Sequence, residues 1–324
     1  MRVLVTGGAG YIGSHTAKAL AKAGFEPVTF DNLSMGHEWA VKWGPLVRGD
    51  LASRDHITKA LETYKIEAVI HFAASAFVGE SMRVPQQYFE NNVTNTLNLL
   101  SAMLAAGISR LVFSSSCATY GEPVRIPITE DHPQSPINPY GESKLFIEKA
   151  LGWYEKAYGL KYVVLRYFNA AGADPDGDIG EDHEPETHLI PLVIQASLCS
   201  TPPVEVFGRD YDTPDGTAIR DYVHVVDLAD AHVRALQRLV DGAGSLTVNL
   251  GSGSGSSVLE VISMVQSVSG QNICVRHTNR RRGDPAVLLA DTSCATKTLG
   301  WVPHYSGLRM IVETAWRWSR RMPA

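Results

Sequence analysis

Charge of one sign is scarce in runs: no basic stretch is longer than Arg280-Arg281-Arg282, and the formal net charge is -5. Without a basic footprint, nucleic acid is not an expected partner. Long apolar runs are also lacking. Met1-Arg2-Val3-Leu4-Val5-Thr6 turns at once into glycine, far too short for a signal peptide or a membrane span, so a cytoplasmic protein with no membrane partner is expected. Cysteines number only four (Cys117, Cys199, Cys274 and Cys294), scattered and without a CxxC pair, which is the pattern of buried reduced thiols. No HExxH motif occurs. Asp174, Asp176 and Asp178 alternate as in a calcium loop, but Ile179 stands where that loop needs glycine. A solvated loop and no metal site are expected.

What is present is an ordinary globular composition, 44% hydrophobic and 19% charged over 324 residues, enough for one large domain or two lobes. The first half alternates short apolar strands with amphipathic helices, the signature of an α/β fold with a doubly wound parallel sheet. Strands are predicted at Arg2–Val5, Pro27–Phe30, Leu46–Arg48, Ala68–His71, Leu111–Ser114 and Tyr162–Leu165. Helices are predicted at Ile12–Ala23, Arg54–Tyr64, Pro85–Ala106 and Pro139–Tyr158, with Gly24 and Gly107 as stop signals. After Asn169 the texture becomes rich in Pro, Gly and Asp. Residues 1–169 are therefore read as a Rossmann-like domain and 170–324 as mainly a smaller substrate-binding lobe. Part of 219–250 returns to the sheet, through strands at Val223–His224 and Leu246–Asn249 around a helix at Asp227–Leu239. Gly251–Ser257 reads as a flexible turn capping a helix at Val258–Val268.

Strand Val3–Val5 runs into Thr6-Gly7-Gly8-Ala9-Gly10-Tyr11-Ile12-Gly13 before a helix, which satisfies G-x-G-x-x-G. Glycines there permit a tight turn and let a pyrophosphate approach the helix N-terminus. A second strand ends in Asp31, placed to accept from ribose hydroxyls; a carboxylate there repels a 2′-phosphate, so NAD is favoured over NADP. Asp50, after the third strand, is either an adenine contact or a helix N-cap. Tyr140-Gly141-Glu142-Ser143-Lys144 puts a phenol and an ammonium on one helix face. An unperturbed phenol titrates near about 10, and a neighbouring positive charge lowers that value. Ser116, at the end of Ser114-Ser115-Ser116, can share the proton.

Together these segments resemble the extended short-chain dehydrogenase/reductase family, and within it the UDP-galactose 4-epimerases, over nearly the whole chain. The likeness is carried by Val5–Ser14, Asp31-Asn32, His71-Phe72-Ala73-Ala74, Gly79-Glu80-Ser81, Asn91-Asn92-Val93, Ser114–Ser116, Tyr140–Lys144, Arg166–Asn169, Arg220–Val225 and Arg281–Asp284. The resemblance implies NAD-dependent epimerisation of a UDP-hexose through a 4-keto sugar, with Tyr140 as base, Ser116 assisting and Lys144 holding the nicotinamide ribose. It also implies cofactor contacts at Gly7, Gly10, Tyr11, Ile12, Gly13, Asp31, Asn32, Asp50, Leu51, Phe72, Ala73, Ala74, Asn91, Ser114 and Tyr167. Arg220 and Arg281 match diphosphate-binding arginines, Asn169 a phosphate or sugar contact, and Phe207, Tyr222 and Asp284 residues near the nucleoside. His188 and Leu189 fall beside the substrate. Leu288 matches a gate at the sugar pocket, or it packs in the core beside Leu289. A homodimer through the helices at Pro85–Ala106 and Pro139–Tyr158 is implied as well, with Phe89, Val93, Leu97, Leu100 and Leu104 compatible with either a partner or the sheet.

Three positions depart from relatives: Ala76 where some carry lysine near the ribose, His188 where some carry asparagine, and Glu142 inside the Tyr-Lys motif. A 4,6-dehydratase of the same fold needs an acidic residue after its serine, whereas Ser116 is followed by Cys117, Ala118 and Thr119. A UDP-pentose or N-acetylated UDP-hexose as substrate stays open, and so does, more remotely, a non-catalytic NAD-binding module.

Overall fold

The computed structural model describes residues 1–198, 203–281 and 284–321. Six strands of the first half are β1 (Arg2–Thr6), β2 (Glu26–Asp31), β3 (Leu46–Arg48), β4 (Ala68–His71), β5 (Arg110–Ser116) and β6 (Lys161–Tyr167). Those of the second half are β7 (Asn169–Ala171), β8 (Val204–Phe207), β9 (Ile219–His224), β10 (Leu246–Leu250), β11 (Gly255–Ser257), β12 (Val275–Thr278) and β13 (Val287–Leu288). The large sheet has seven parallel strands in the order β10-β6-β5-β4-β1-β2-β3.

Alternation along the strands explains why helices cover both faces. Leu4, Val69, Leu111, Phe113 and Val164 point to one side, where Ile57 and Leu61 of the helix Arg54–Thr63, Leu99 and Met103 of Asn95–Ala105, and Ile147 and Leu151 of Pro139–Tyr158 meet them. Their neighbours Val3, Val5, Ile70, Val112, Val163 and Leu165 point to the other side, against Leu20 of the helix Tyr11–Lys22 and Leu228, Ala235 and Leu236 of Val225–Val240. A strand buried on both faces must be apolar throughout, which is how these read. Gly24 and Gly107 end their helices with φ of +84° and +70°.

Three expectations need correction. Leu246–Leu250 joins the large sheet beside β6, but Val223–His224 belongs to β9, which pairs with β7, β11 and β13 in a separate four-stranded sheet. The segment read as a flexible turn contains β11, and Ser257 closes a capping box with Glu260 at the start of the helix Val258–Ser269. The helix predicted over Pro85–Ala106 is interrupted: Phe89–Thr94 is a π turn between Pro85–Tyr88 and Asn95–Ala105. From the first turn of the following helix the Thr96 hydroxyl donates to the carbonyl of Asn92 in the π turn at 2.5 Å, competing with the backbone ladder. No helix among the described residues is long and apolar enough to cross a membrane.

Candidate active site

Parallel strands put all their carboxyl ends on one edge, and the chain order reverses between β1 and β4. That switch point is where an open α/β sheet leaves a crevice for a ligand. Gly7 lies just past β1 with φ +71°, and a Cβ on it would stand 2.6 Å from the Ala73 nitrogen. Gly13 is as tightly held, since its Cβ would meet the Gly7 oxygen at 2.2 Å. Gly10, the N-cap of the next helix, differs. Its Cβ would touch only the Gly7 oxygen, at 3.3 Å, and no side chain caps the helix or places an acid in its first turn. An uncapped N-terminus open above a glycine is the cradle a pyrophosphate requires. Tyr11 donates to the Gly172 carbonyl at 2.5 Å, and Ile12 packs against the core.

At the end of β2, Asp31 accepts from the backbone nitrogens of Ala9 (3.0 Å) and Leu33 (2.8 Å), which leaves lone pairs for a second donor such as a ribose hydroxyl. Burial raises its pKa, and the two backbone donors oppose that rise. Asn32 reaches Asp50 at 3.1 Å, and Asp50 accepts from Ala52. Asp50 is not the helix cap; Ser53 is, through the His56 nitrogen. Leu51 is buried beside it. Phe72 and Ala73 both bond the Thr6 carbonyl, and the Phe72 ring lies 4.6 Å from that of His232. Ala74 is half-buried on the same loop. Asn91, in the π turn, donates to Ser75 at 3.1 Å. The residues therefore fit a dinucleotide.

Ser116, Tyr140 and Lys144 meet at the end of β5. Asn138 caps the helix Pro139–Tyr158 by accepting from Gly141, and Gly141 lets that helix close on the turn Cys117–Thr119, since a Cβ there would lie 2.4 Å from the Ala118 oxygen. Lys144 donates to the Ser114 carbonyl at 2.8 Å and stands 5.9 Å from the centre of the Tyr140 ring. Burial lowers its pKa to about 8, against the pull of Glu148. Burial raises that of Tyr140 to about 12, with the Ser116 hydroxyl opposing and Cys117 adding to the rise. Tyr140 is thus a neutral phenol until further positive charge arrives beside it. Tyr167 shares a short hydrogen bond with Ser114. Glu142 is exposed, away from this group, as is Ala76.

Two supports went unnoticed in the sequence. Glu148 and Arg166 form a buried ion pair at 2.6 Å, and Ser115 donates to the same carboxylate, which anchors the strand end carrying Ser116. Behind β4, His71 links Thr6 (2.6 Å) to Thr96 (2.8 Å), and burial, then Lys144, lowers its pKa to about 3, so it adds no positive charge. A lone Glu or His on an apolar strand or helix gives no pattern by which to find these.

The small sheet gathers the expected substrate side. Asn169 is in register with Tyr222, and Arg220 with Leu288. Arg220 pairs with Asp284 and donates to its neighbour's carbonyl, Ile219, at 2.7 Å. Arg281 lies 3.8 Å over the Phe207 ring. Leu288 packs against the cluster of Tyr120, Ile128, Phe168 and Ala290, as does Cys117. Leu189 begins the helix Leu189–Leu198, and His188 precedes it. Arg282 and Gly283 of the Arg281–Asp284 motif lie outside the described residues, as does Cys199.

The acidic loop is solvated at Asp176 and Asp178, as expected, but Asp174 is buried. Asp174, Asp176 and Asp178 converge on the Lys18 ammonium at 2.7, 2.8 and 2.8 Å, an internal cation that no local reading reveals. Cys274 is exposed, contrary to expectation; Cys117 and Cys294 are partly covered, and burial pushes the Cys117 thiol up to about 12. Glu181, His183, Glu186 and His188 also come together, so His188 is held by carboxylates.

Comparison with known proteins shows the family. The model of the NAD dependent epimerase/dehydratase family matches residues 3–251. The chain is 52% identical to a UDP-glucose 4-epimerase of Rhizobium meliloti (strain 1021), over 98% of this chain and 97% of the relative. It is similar to the crystal structure of UDP-glucose 4-epimerase from Brucella ovis in complex with NAD, with TM-score 0.96, 52% identity and coverage of 98% and 97%. The UDP-Glc/GlcNAc 4-epimerase of Campylobacter jejuni is 40% identical, with TM-score 0.86 and 99% of both chains covered.

Proposed function

The chain belongs to the NAD dependent epimerase/dehydratase family, and from that premise we infer how its own residues carry out the reaction. The protein is an NAD-dependent UDP-glucose 4-epimerase, interconverting UDP-glucose and UDP-galactose. The observation that carries the mechanism is the buried group of Ser116, Tyr140 and Lys144 at the carboxyl edge of the sheet, beside the uncapped Gly10 helix.

When bound, NAD supplies a reversible two-electron acceptor for C4 of the sugar. Tyr140 takes the proton of the 4-hydroxyl as C4 becomes a ketone, and returns it when C4 is reduced on its other face. Ser116 shares that proton. Lys144, charged below about pH 8, holds the nicotinamide ribose hydroxyls and, with the positive nicotinamide, draws the Tyr140 phenol down from about 12. The glycine turn binds the pyrophosphate, while Asp31 accepts from the adenine-side ribose. Asn32, Asp50, Leu51, Phe72, Ala73, Ala74, Asn91 and Tyr167 complete that side.

Residues 1–169 serve the cofactor and 170–324 mainly the substrate. Arg220 and Arg281 neutralise the sugar diphosphate, and Phe207, Tyr222 and Asp284 hold the nucleoside. Asn169, His188 and Leu189 line the sugar, with Leu288 as its gate. The clamp matters because the keto sugar must turn over without leaving. Arg220 is pre-paired with Asp284, so a diphosphate competes for an arginine already aimed and mostly desolvated. The turn after Ser116 bears Cys117, Ala118 and Thr119 and no carboxylate, which argues against dehydration. The reaction is tested by incubating the purified protein with UDP-galactose, UDP-glucose, their N-acetylated analogues and UDP-pentoses, with no cofactor added. UDP-galactose and UDP-glucose should interconvert; turnover only with external NADH would indicate a reductase instead.

The setting is cytoplasmic and the assembly a homodimer. Phe89 is 40% exposed, and Phe146 and Trp153 of the adjoining helix Pro139–Tyr158 are 50% and 68% exposed. Val93 and Leu100 are buried against the sheet instead, and Leu97 and Leu104 are half-buried. Large aromatic surface of this kind on a helix pair is suited to a second copy of the same pair. Light scattering at micromolar concentration should give twice the chain mass, and a monomer mass would refute the dimer.

A further inference from the structure

At the edge of the sugar site, which shares His188 with it, the segment between β7 and the helix Leu189–Leu198 brings two carboxylates and two imidazoles together: Glu181, His183, Glu186 and His188 each offer a ligand atom within 4.8 Å of all the others. We propose that these four residues form a binding site for a zinc-class divalent cation, closed and structural, which fastens this loop over the nucleotide-binding turn. The set is the harder half of zinc chemistry, two nitrogens and two oxygens, and zinc takes such ligands at about 2.0–2.1 Å in a tetrahedron. A tetrahedron of that size has edges of about 3.3 Å. The nitrogen–oxygen separations straddle this value: His188 Nδ1 is 2.9 Å from both Glu181 Oε1 and Glu186 Oε1, and His183 Nδ1 is 3.2 Å from Glu181 Oε1 and 3.8 Å from Glu186 Oε2.

His183 carries an independent sign. Its Nδ1 is buried and has no hydrogen-bond partner, although two carboxylates stand near it. The same nitrogen lies 3.2 Å from Glu181 Oε1 and 3.8 Å from Glu186 Oε2, so an unprotonated imidazole there would turn its lone pair toward a cation held between the two carboxylates. The ligands are also supported from behind, as metal ligands are. Glu186 Oε1 accepts from the backbone nitrogens of Thr187 (2.6 Å) and His188 (2.7 Å), and Trp318 Nε1 donates to the Glu181 carbonyl at 2.9 Å. Tyr11 and Phe77 set their rings edge-on to His183, with centroids 6.3 and 6.0 Å away. The Glu181 and Glu186 side chains are only 8% and 6% exposed. Tyr11 belongs to the glycine turn and Trp318 to the last helix, so a cation here joins three separate parts of the chain. The triad of Asp174, Asp176 and Asp178 is no competitor, because Lys18 already fills it.

The test uses the untagged protein with its bound dinucleotide and cobalt(II) alone as probe. One equivalent of cobalt should bind and give the strong visible bands of a tetrahedral ion, which zinc(II) then abolishes by displacement. His183→Ala and Glu186→Gln should each weaken cobalt binding more than about tenfold, whereas Asp178→Asn should leave the bands unchanged. X-ray absorption at the zinc edge of the wild-type protein, which needs no variant to fold, should find two imidazole nitrogens among four light ligands. A pale octahedral spectrum, bands insensitive to His183 and Glu186, or a zinc shell without two imidazoles would each overturn the site and leave an ion-pair network.

Discussion

Replacing Tyr140 by phenylalanine should lower turnover by about 10²–10⁴, the usual cost of losing a positioned general base, with little change in substrate binding. The substitution removes one oxygen from a buried helix position and leaves Lys144 on the Ser114 carbonyl. The phenol is uncharged at neutral pH before the cofactor binds, so its removal costs the fold no charge and only the hydrogen bond to Ser116. The check is kcat and KM for UDP-galactose with both proteins loaded with NAD. A variant keeping more than about a third of wild-type turnover, well short of the loss a general base implies, would show that another group moves the proton.

Replacing Leu288 by tyrosine should reduce kcat/KM for UDP-N-acetylgalactosamine roughly ten- to hundredfold and that for UDP-galactose much less. Leu288 is in register with Arg220 and packs against the same cluster as Cys117, the residue after Ser116, which is the placement the proposed gate requires. Leucine leaves moderate room, and some activity on the N-acetylated sugar, weaker than on UDP-galactose, is expected of the unmodified protein. A larger ring at a packed position costs about 1–3 kcal/mol in overlap. Converted to a specificity constant, that is roughly the stated range. Equal losses on both substrates would mean that Leu288 is only part of the Tyr120–Ile128–Phe168–Ala290 core.

The first half of the fold and the cofactor turn were legible because their signals are local. Strands such as Ala68–His71 are buried on both faces and therefore apolar through Ala68, Val69 and Ile70, and the turn from Gly7 to Gly13 requires glycine at positions where a Cβ would strike backbone. Helix ends at Gly24 and Gly107 were equally plain. What was missed depends on partners far away in the chain. Strand β9 alternates no more clearly than a loop, since Arg220 pairs with Asp284 and Asp221 accepts from the backbone of Ser252 and Gly253. Lys18 meets its three aspartates across more than 150 residues, so an acidic loop that looks solvated is closed by a helix from the other end of the domain. The break in the helix after Tyr88 coincides with one hydroxyl, that of Thr96, bonding a carbonyl of the turn. The carboxylates and histidines of 181–188 follow no helical metal motif, because a folded loop, not a helix period, brings them together.

The cycle itself is most directly tested by isotope retention. The purified protein, with no cofactor added, is given UDP-galactose carrying deuterium at C4, and the UDP-glucose formed is examined by mass spectrometry and NMR. If C4 is oxidised and reduced within one closed, NAD-loaded site, the product keeps its deuterium at C4 and takes none up from deuterated water. Loss of the label to solvent would contradict that cycle and point instead to proton exchange at carbon.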